Sequence, residues 1–174
     1  MVSRRAIGFA FRRWIISATC WEPASHTCKD IRRYVAAGDT VYDIGAYIGH
    51  VSLSLAKSVG PGGQVIDFEP IPRNAQYLRE SIEINRLTNV KLLEFAASDH
   101  SGDAVIRIAG NLSTPSLVWH RDNPSATQLK IRTVQIDQLF ESGTLAYPRF
   151  VKIDVEGAGI SVSVSPYAQA SRFV

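Results

Sequence analysis

This 174-residue chain is poor in cysteine and lacks a long apolar run. Its only cysteines, Cys20 and Cys28, flank His26, and two thiols with one imidazole fall short of a structural zinc set. We therefore expect reduced thiols in a cytoplasmic protein, and no bound metal. No segment approaches the ~20 apolar residues that a membrane helix requires, so we also expect no transmembrane span.

The chain lacks an excess of positive charge outside its N-terminal segment. Residues 1–38 carry seven Lys or Arg against Glu22 and Asp30, a balance of +5, so the remaining 136 residues of a +3 chain sum to −2. A nucleic-acid interface on the main domain is therefore not expected, because it would need clustered positive charge. Residues 1–21 are predicted to form a basic arm that either packs on the domain, frays or touches a membrane surface.

The most informative stretch is residues 39–49, which read D-T-V-Y-D-I-G-A-Y-I-G. A β-rich run from Thr40 to Ile44 precedes Gly45 and Gly49, and apolar residues at helical spacing follow from His50. This pattern predicts a strand, a tight turn and a helix, with backbone N–H groups accessible to a ligand. The G-x-G-x-x-G dinucleotide fingerprint has a middle glycine that this turn lacks, which disfavours an NAD-dependent oxidoreductase.

The rest of the chain predicts an α/β fold. Strands at 64–68 and 90–97 alternate with helices at 50–59 and 72–87, which is typical of a parallel sheet with helices on both faces. Two alternating segments, 103–109 and 128–136, predict an antiparallel hairpin excursion. A short helix at 137–142 and a fourth core strand at 149–155 complete the pattern, and an additional helix is expected to end near Ala37.

Four predicted strands end in residues with suitable chemistry for a ligand site. Ligands of open α/β sheets bind beyond the carboxyl ends of the strands. Glu69 follows the second strand twenty residues after Gly49, a position from which a carboxylate can accept hydrogen bonds from a ribose diol. The other groups are Asp43 with the glycine turn, the small residues Ala96, Ala97 and Ser98 with Asp99, and the acids Asp154 and Glu156.

The sequence resembles the FkbM family of S-adenosylmethionine-dependent methyltransferases over residues 22–158. The resemblance rests on five motifs, of which the last is the most family-specific: Val41–Gly49 (VYDIGAYIG), Val65–Pro70 (VIDFEP), Asn85–Val90 (NRLTNV), Val134–Leu139 (VQIDQL) and Phe150–Gly157 (FVKIDVEG).

This resemblance implies a class I methyltransferase (Rossmann-like) fold and O-methylation of a small-molecule hydroxyl on a sugar or natural product. By resemblance, Gly45 and Gly49 would border the methionine part of the cofactor, Glu69 would hold the ribose, and residues near Ala97 would lie by the adenine. The predicted cofactor-binding set is Asp43, Gly45, Ala46, Tyr47, Gly49, Glu69, Pro70, Ala97, Ser98 and Asp154.

Methyl transfer to a hydroxyl benefits from a base, because the acceptor proton must leave. Asp154 is the first candidate for this catalytic role and Glu156 the second, and His50 and His120 are further candidates. Strand-end acids can also have purely structural roles, which the sequence leaves open.

The chain departs from the family pattern after residue 158. Gly159 stands where relatives carry a second acid, and residues 160–165 lack a helical period. We therefore expect three segments: the arm 1–21, a methyltransferase domain 22–157 and a divergent tail 158–174 in which C-terminal strands are missing through truncation or frame-shift. Strand 149–155 would then be an exposed edge able to mediate self-association, unless 160–165 replaces the missing strand. The alternative function is a non-catalytic remnant or interaction module that retains only cofactor binding.

Overall fold

The computed structural model of the chain describes residues 31–108, 127–155 and 172–173. The predicted N-terminal arm, His120, Glu156 and residues 160–165 lie outside these ranges. A 3₁₀ turn at Arg32–Tyr34 leads into the first strand. The helix expected to continue to Ala37 ends earlier, because Val35 already has extended backbone angles.

A mixed α/β architecture follows. The strands are β1 (Thr40–Ile44), β2 (Gln64–Phe68), β3 (Val90–Leu93), β4 (Ala96–Ser98), β5 (Gly102–Ile108), β6 (Thr127–Gln135), β7 (Phe150–Ile153) and β8 (Arg172–Phe173). The α-helices are α1 (His50–Val59), α2 (Pro72–Ile84) and α3 (Ile136–Glu141).

The main sheet is parallel and has the order β3-β2-β1-β7-β8. β1 lies between β2 and β7, so the carboxyl ends of these three strands are neighbours. Such central strands are buried on both faces and are therefore nearly continuous apolar runs. β1 follows this rule, since Val41 to Ile44 are all at most 1% exposed.

Each face of the main sheet has its own apolar core. On one face, Val41, Val65 and Phe150 pack against the buried side of α1, which contributes Leu55, Ala56 and Val59. On the other face, Tyr42, Ile44, Phe68 and Val151 pack against Ile136 and Phe140 of α3. The predicted arrangement of helices on both faces is confirmed.

A second sheet, of order β4-β6-β5, contains the predicted antiparallel hairpin. β5 and β6 pair antiparallel from Gly102↔Thr133 to Ile108↔Thr127, while β4 pairs parallel with β6. The prediction of a single strand at 90–97 is wrong. It is interrupted at Glu94 and Phe95, because the chain leaves β2 after Leu93 and pairs instead with β6 from Ala96 onward.

The prediction that 149–155 is an exposed edge strand is also wrong for its first half. β8 pairs with Phe150 and Val151 on the side opposite β1. The expected self-association through this strand loses its basis there, because the backbone groups that would recruit a second chain already have a partner strand.

The core packing predicts a large cost for truncating α1. Leu55 is fully buried, and Leu55→Ala should lower the free energy of unfolding by about 2–5 kcal/mol through lost burial and a residual cavity. Ile84 is 55% exposed on α2, so Ile84→Ala should change the free energy of unfolding by less than about 0.5 kcal/mol. Urea denaturation of both variants tests this, and equal losses would contradict the packing described.

Candidate functional site

The candidate site lies where the strand order of the main sheet reverses. The chain passes from β1 to β2 on one side, while β7 lies on the other side of β1. Ligands of open α/β sheets bind at such a switch point, beyond the carboxyl ends of the strands. Three predicted residues follow these neighbouring strands: Gly45 after β1, Glu69 after β2 and Asp154 after β7.

Gly45 is the point of closest approach between the β1 turn and the end of β7. Its φ is +80°, and a Cβ built on it would lie 2.1 Å from the carbonyl oxygen of Asp154. The Asp154 N–H donates to the carbonyl of Ile44 at 2.9 Å, which holds the two strand ends together. Glycine is required here for both its backbone angle and its lack of a side chain.

The remainder of the turn is fixed by backbone contacts. Ala46 is buried and donates its N–H to the carbonyl of Phe68, while Tyr47 has a φ of +54°, which is uncommon for a residue with a side chain. Gly49 has a φ of +95°, and a Cβ there would lie 2.5 Å from Leu78 Cδ1 of α2. The second glycine therefore permits α2 to pack closely against the turn.

Helix α1 starts at this turn without a capping side chain. Gly49 is its N-cap residue, and its first turn contains no acidic residue. The first N–H groups of a helix lack partners within the helix, and together with the helix dipole they favour an anionic ligand. His50 begins α1 and is exposed, although partial burial of its ring lowers its pKa.

Glu69 is a buried carboxyl group that joins the turn to α2. Its Oε2 accepts the Tyr47 N–H at 2.8 Å, and its Oε1 accepts the Ile71 N–H at 3.0 Å and the Asn74 side-chain amide at 3.2 Å. Burial raises the pKa of Glu69 to about 7, even though these three donors act in the opposite direction. The carboxyl group is thus placed under the turn and held in a fixed orientation.

A row of charged side chains crosses the buried face of the sheet below the turn. Asp67, Asp43 and Lys152 occupy laterally paired positions on β2, β1 and β7, and all three are at most 6% exposed. Asp43 Oδ2 accepts the Ser52 hydroxyl of α1 at 2.9 Å, and Asp43 Oδ1 lies 2.8 Å from Lys152 Nζ. The side chain of the predicted cofactor residue Asp43 is therefore enclosed in the protein and presents no exposed surface to a ligand.

The Lys152 ammonium extends this row to the mouth of the site. It donates to the carbonyl of Gly45 at 3.1 Å and lies 3.7 Å from Asp154 Oδ2. The Asp154 side chain is 68% exposed, so its carboxylate faces solvent above the lysine. One cation thus contacts β1, the glycine turn and the end of β7.

Asp67 is the carboxyl group of the row that is not paired directly with a cation. It is fully buried, and neither of its carboxyl oxygens has a hydrogen-bond partner among the described residues. Burial, and then the neighbouring charge of Asp43, raise the pKa of Asp67 well above its usual range. Asp67 is therefore the carboxyl group of the row whose charged form its surroundings favour least.

The predicted adenine-side residues lie at β4 and after β2. Ala97 and Ser98 are at most 5% exposed, and the Ala97 side chain belongs to the apolar core. Pro70 follows Glu69 and is half-buried. Ala97 is therefore buried, and only the small size of its side chain would leave room for a ligand beside it.

The sequence analysis missed three polar residues of the site, namely Ser52, Asn74 and Lys152. Lys152 had a visible signal, because it is a charged residue inside the otherwise apolar run Phe150–Ile153. Such a residue on a core strand needs a buried partner, and Asp43 is at the paired position. Among the residues described, no group of three metal-ligating side chains is close enough to hold an ion, and no helix has the length and hydrophobicity to cross a bilayer.

Comparison with known proteins gives the family. A family model described as the methyltransferase FkbM domain matches residues 43–162, which include the glycine turn, Glu69 and Asp154. The chain belongs to the FkbM methyltransferase family. The predicted family, its class I α/β fold and its cofactor class, S-adenosylmethionine, are therefore confirmed at the level of the family.

Two curated relatives are methyltransferases. A protein-L-isoaspartate O-methyltransferase of Aeropyrum pernix is 48% identical over 112 residues, which are 64% of this chain and 38% of the relative. The hexuronic acid methyltransferase AglP of Haloferax volcanii is 30% identical over 128 residues, which are 71% of this chain and 48% of the relative. The FkbM chain thus spans less than half the length of these relatives.

Among solved structures, an S-adenosylmethionine-dependent methyltransferase from Aquifex aeolicus aligns with a TM-score of 0.39 and 26% identity over 41% of this chain and 39% of that one. A putative rRNA methylase from Clostridium thermocellum aligns with a TM-score of 0.40 and 24% identity over 42% and 41% of the two chains.

The contact at Gly45 predicts a position-specific cost of adding a methyl group. Gly45→Ala should destabilise the FkbM chain by more than Gly60→Ala, because both residues have positive φ but only Gly45 faces a backbone carbonyl. Gly60→Ala, which places a methyl group in open space, should lower the free energy of unfolding by about 1–2 kcal/mol from backbone strain alone. Urea unfolding compares the variants, and equal losses would contradict the close approach of β7.

The buried Asp67 carboxyl predicts a pH-dependent stability. Because its pKa is raised in the folded state, the stabilisation is complete below the usual pKa of 3.8 and is lost as pH rises through the folded-state value. The free energy of unfolding of the unmodified protein should therefore fall relative to that of Asp67→Asn as the pH rises above the usual aspartate pKa. Denaturant titrations across this range give the difference, and a constant difference would contradict the assignment.

Proposed function

We propose that this FkbM chain binds S-adenosylmethionine across the carboxyl ends of β2, β1 and β7 and transfers its methyl group to an oxygen atom of a small molecule. One observation carries the proposal. The glycine turn, the buried Glu69 and the exposed Asp154 meet at the strand-order reversal, and all three lie within the family match.

The cofactor roles follow from the contacts at the turn. The methionine part would lie against Gly45 to Gly49, where the uncapped start of α1 supplies N–H groups for its carboxylate. The ribose would lie at Glu69. Oε1 already accepts two hydrogen bonds, so the remaining acceptor capacity is chiefly on Oε2, beside Tyr47. Pro70, Ala97 and Ser98 would border the adenine.

The chemical step is an in-line displacement at the methyl carbon of the sulfonium. An acceptor oxygen forms the new C–O bond as the C–S bond breaks, and the sulfur leaves as a neutral thioether. The leaving group is already activated, so the protein mainly aligns the reactants and excludes water. For a hydroxyl acceptor, Asp154 would take the released proton, because its exposed carboxylate lies at the mouth of the site. Glu156 stays a predicted second base.

Two acceptor classes are suggested by the relatives. One relative is named for hexuronic acid, which supports the predicted sugar acceptor, and the other is named as an isoaspartate O-methyltransferase. We favour a sugar hydroxyl. The exposed Asp154 carboxylate suits an acceptor that must lose a proton, whereas an ionised carboxylate acceptor needs no base. A cytoplasmic location stays a prediction from the two cysteines.

Cofactor binding is tested by calorimetry with S-adenosylhomocysteine. The folded protein should bind it, and Glu69→Ala should weaken binding at least tenfold, because the ribose acceptor and the link to the Tyr47 N–H are both lost. Asp103→Ala is the matched control, because Asp103 is an exposed acid on β5 of the second sheet. A folded wild-type protein that does not bind would contradict the proposal.

Turnover is tested with a methyl-labelled cofactor and two acceptors, glucuronate and an isoaspartyl peptide. Asp154→Asn should lower the kcat for a hydroxyl acceptor about 10²–10⁴-fold, because the group that takes the released proton is lost. Methylation of the peptide alone would overturn the sugar assignment. Binding without turnover on either acceptor would favour the alternative, a domain that only binds the cofactor.

A further inference from the structure

Lys152 makes more contacts than charge neutralisation requires. Its ammonium is 2.8 Å from Asp43 Oδ1, and this contact alone would compensate a buried carboxylate. The same nitrogen also donates to the Gly45 carbonyl at 3.1 Å, and its side chain is only 7% exposed. A buried ammonium that bonds a turn carbonyl fixes the position of that turn relative to the strand that carries the lysine.

The turn residues themselves depend on this contact for a bond to β7, because their other supports come from β2 and α2 and the Asp154 N–H bonds Ile44, the residue before the turn. The N–H groups of Gly45 and Ala46 both donate to the carbonyl of Phe68, and the Tyr47 N–H donates to Glu69. On the β7 side, Gly45 meets the Asp154 carbonyl, a surface that offers it no hydrogen-bond donor. The Lys152 ammonium provides a donor from β7 to the turn itself.

We infer that Lys152 is a positioning residue that fixes the glycine turn against the end of β7. The inference rests on the proposed function, because the turn carries the cofactor while the end of β7 carries Asp154. Lys152 then sets the distance between the methyl donor and the acceptor side. It acts through Gly45 and touches neither reactant.

The test separates this role from that of a counter-ion for Asp43. Lys152→Met alone would leave the Asp43 carboxylate buried and unpaired, so the change is made in an Asp43→Asn background, in which Lys152 of the parent keeps Asp154 at 3.7 Å as its counter-charge. The matched control is Arg79→Met in the same background, because it removes the half-exposed Arg79–Glu94 ion pair, which includes no residue of the turn. Thermal unfolding and circular dichroism verify that each variant is folded.

Two readouts are compared with the Asp43→Asn parent. Amide hydrogen exchange by NMR should become at least tenfold faster at Gly45, Ala46 and Gly49 in Asp43→Asn/Lys152→Met, while the β2 amide of Val65, which bonds Asn89, stays unchanged. The dissociation constant for S-adenosylhomocysteine should rise at least tenfold. The Arg79→Met control should change neither quantity.

The outcomes are distinct. Unchanged exchange at the turn would overturn the inference and leave Lys152 as a counter-ion only, whether or not affinity changes. Faster exchange with unchanged affinity would overturn the functional part, because the turn would then move without affecting the cofactor. Faster exchange in a protein whose wild type does not bind S-adenosylhomocysteine would refute the proposed function while supporting the structural role of Lys152.

Discussion

The structure depends on the close approach of the β1 turn to the end of β7. Gly45 has no room for a side chain because the Asp154 carbonyl lies where its Cβ would be. The Ile44–Asp154 backbone hydrogen bond and the contact from Lys152 to Gly45 span the same junction. Among the described strands of the main sheet, the order reverses once, at β1. Ligands of open α/β sheets bind at such a reversal. The same close contact between β1 and β7 therefore shapes both the centre of the sheet and the candidate site.

Buried charge is the second organising feature. Most core strands of this size would be apolar throughout, yet β1, β2 and β7 carry Asp43, Asp67 and Lys152 at paired positions. Such groups are costly to bury, and the Lys152 ammonium beside Asp43 reduces the cost. Natural sequences tolerate this kind of local conflict chiefly where a function requires it. The position of the row directly below the glycine turn is consistent with that rule.

Much of this arrangement could be predicted from the sequence. Glycine spacing and strand patterning predicted the parallel core, and the strand-end residues Gly45, Glu69 and Asp154 follow neighbouring strands of it, as expected for a site at the carboxyl edge. The break between β3 and β4 could not be predicted, because Val90–Ala97 is a continuous β-rich run and only pairing with β6 divides it. The pairing of β8 with β7 depends on a contact distant in sequence, which local pattern does not reveal. Lys152 was overlooked because its partner Asp43 lies 109 residues earlier and meets it only through strand register.

The central claim is that the carboxyl ends of β2, β1 and β7 form one cofactor site, and chemical-shift mapping tests it most directly. Titration of isotope-labelled protein with S-adenosylhomocysteine should perturb backbone amides of residues 45–49, 69–70 and 154 together, with one shared saturation curve. Perturbations confined to the β5–β6 hairpin, or no saturable shifts in a folded sample, would contradict the account.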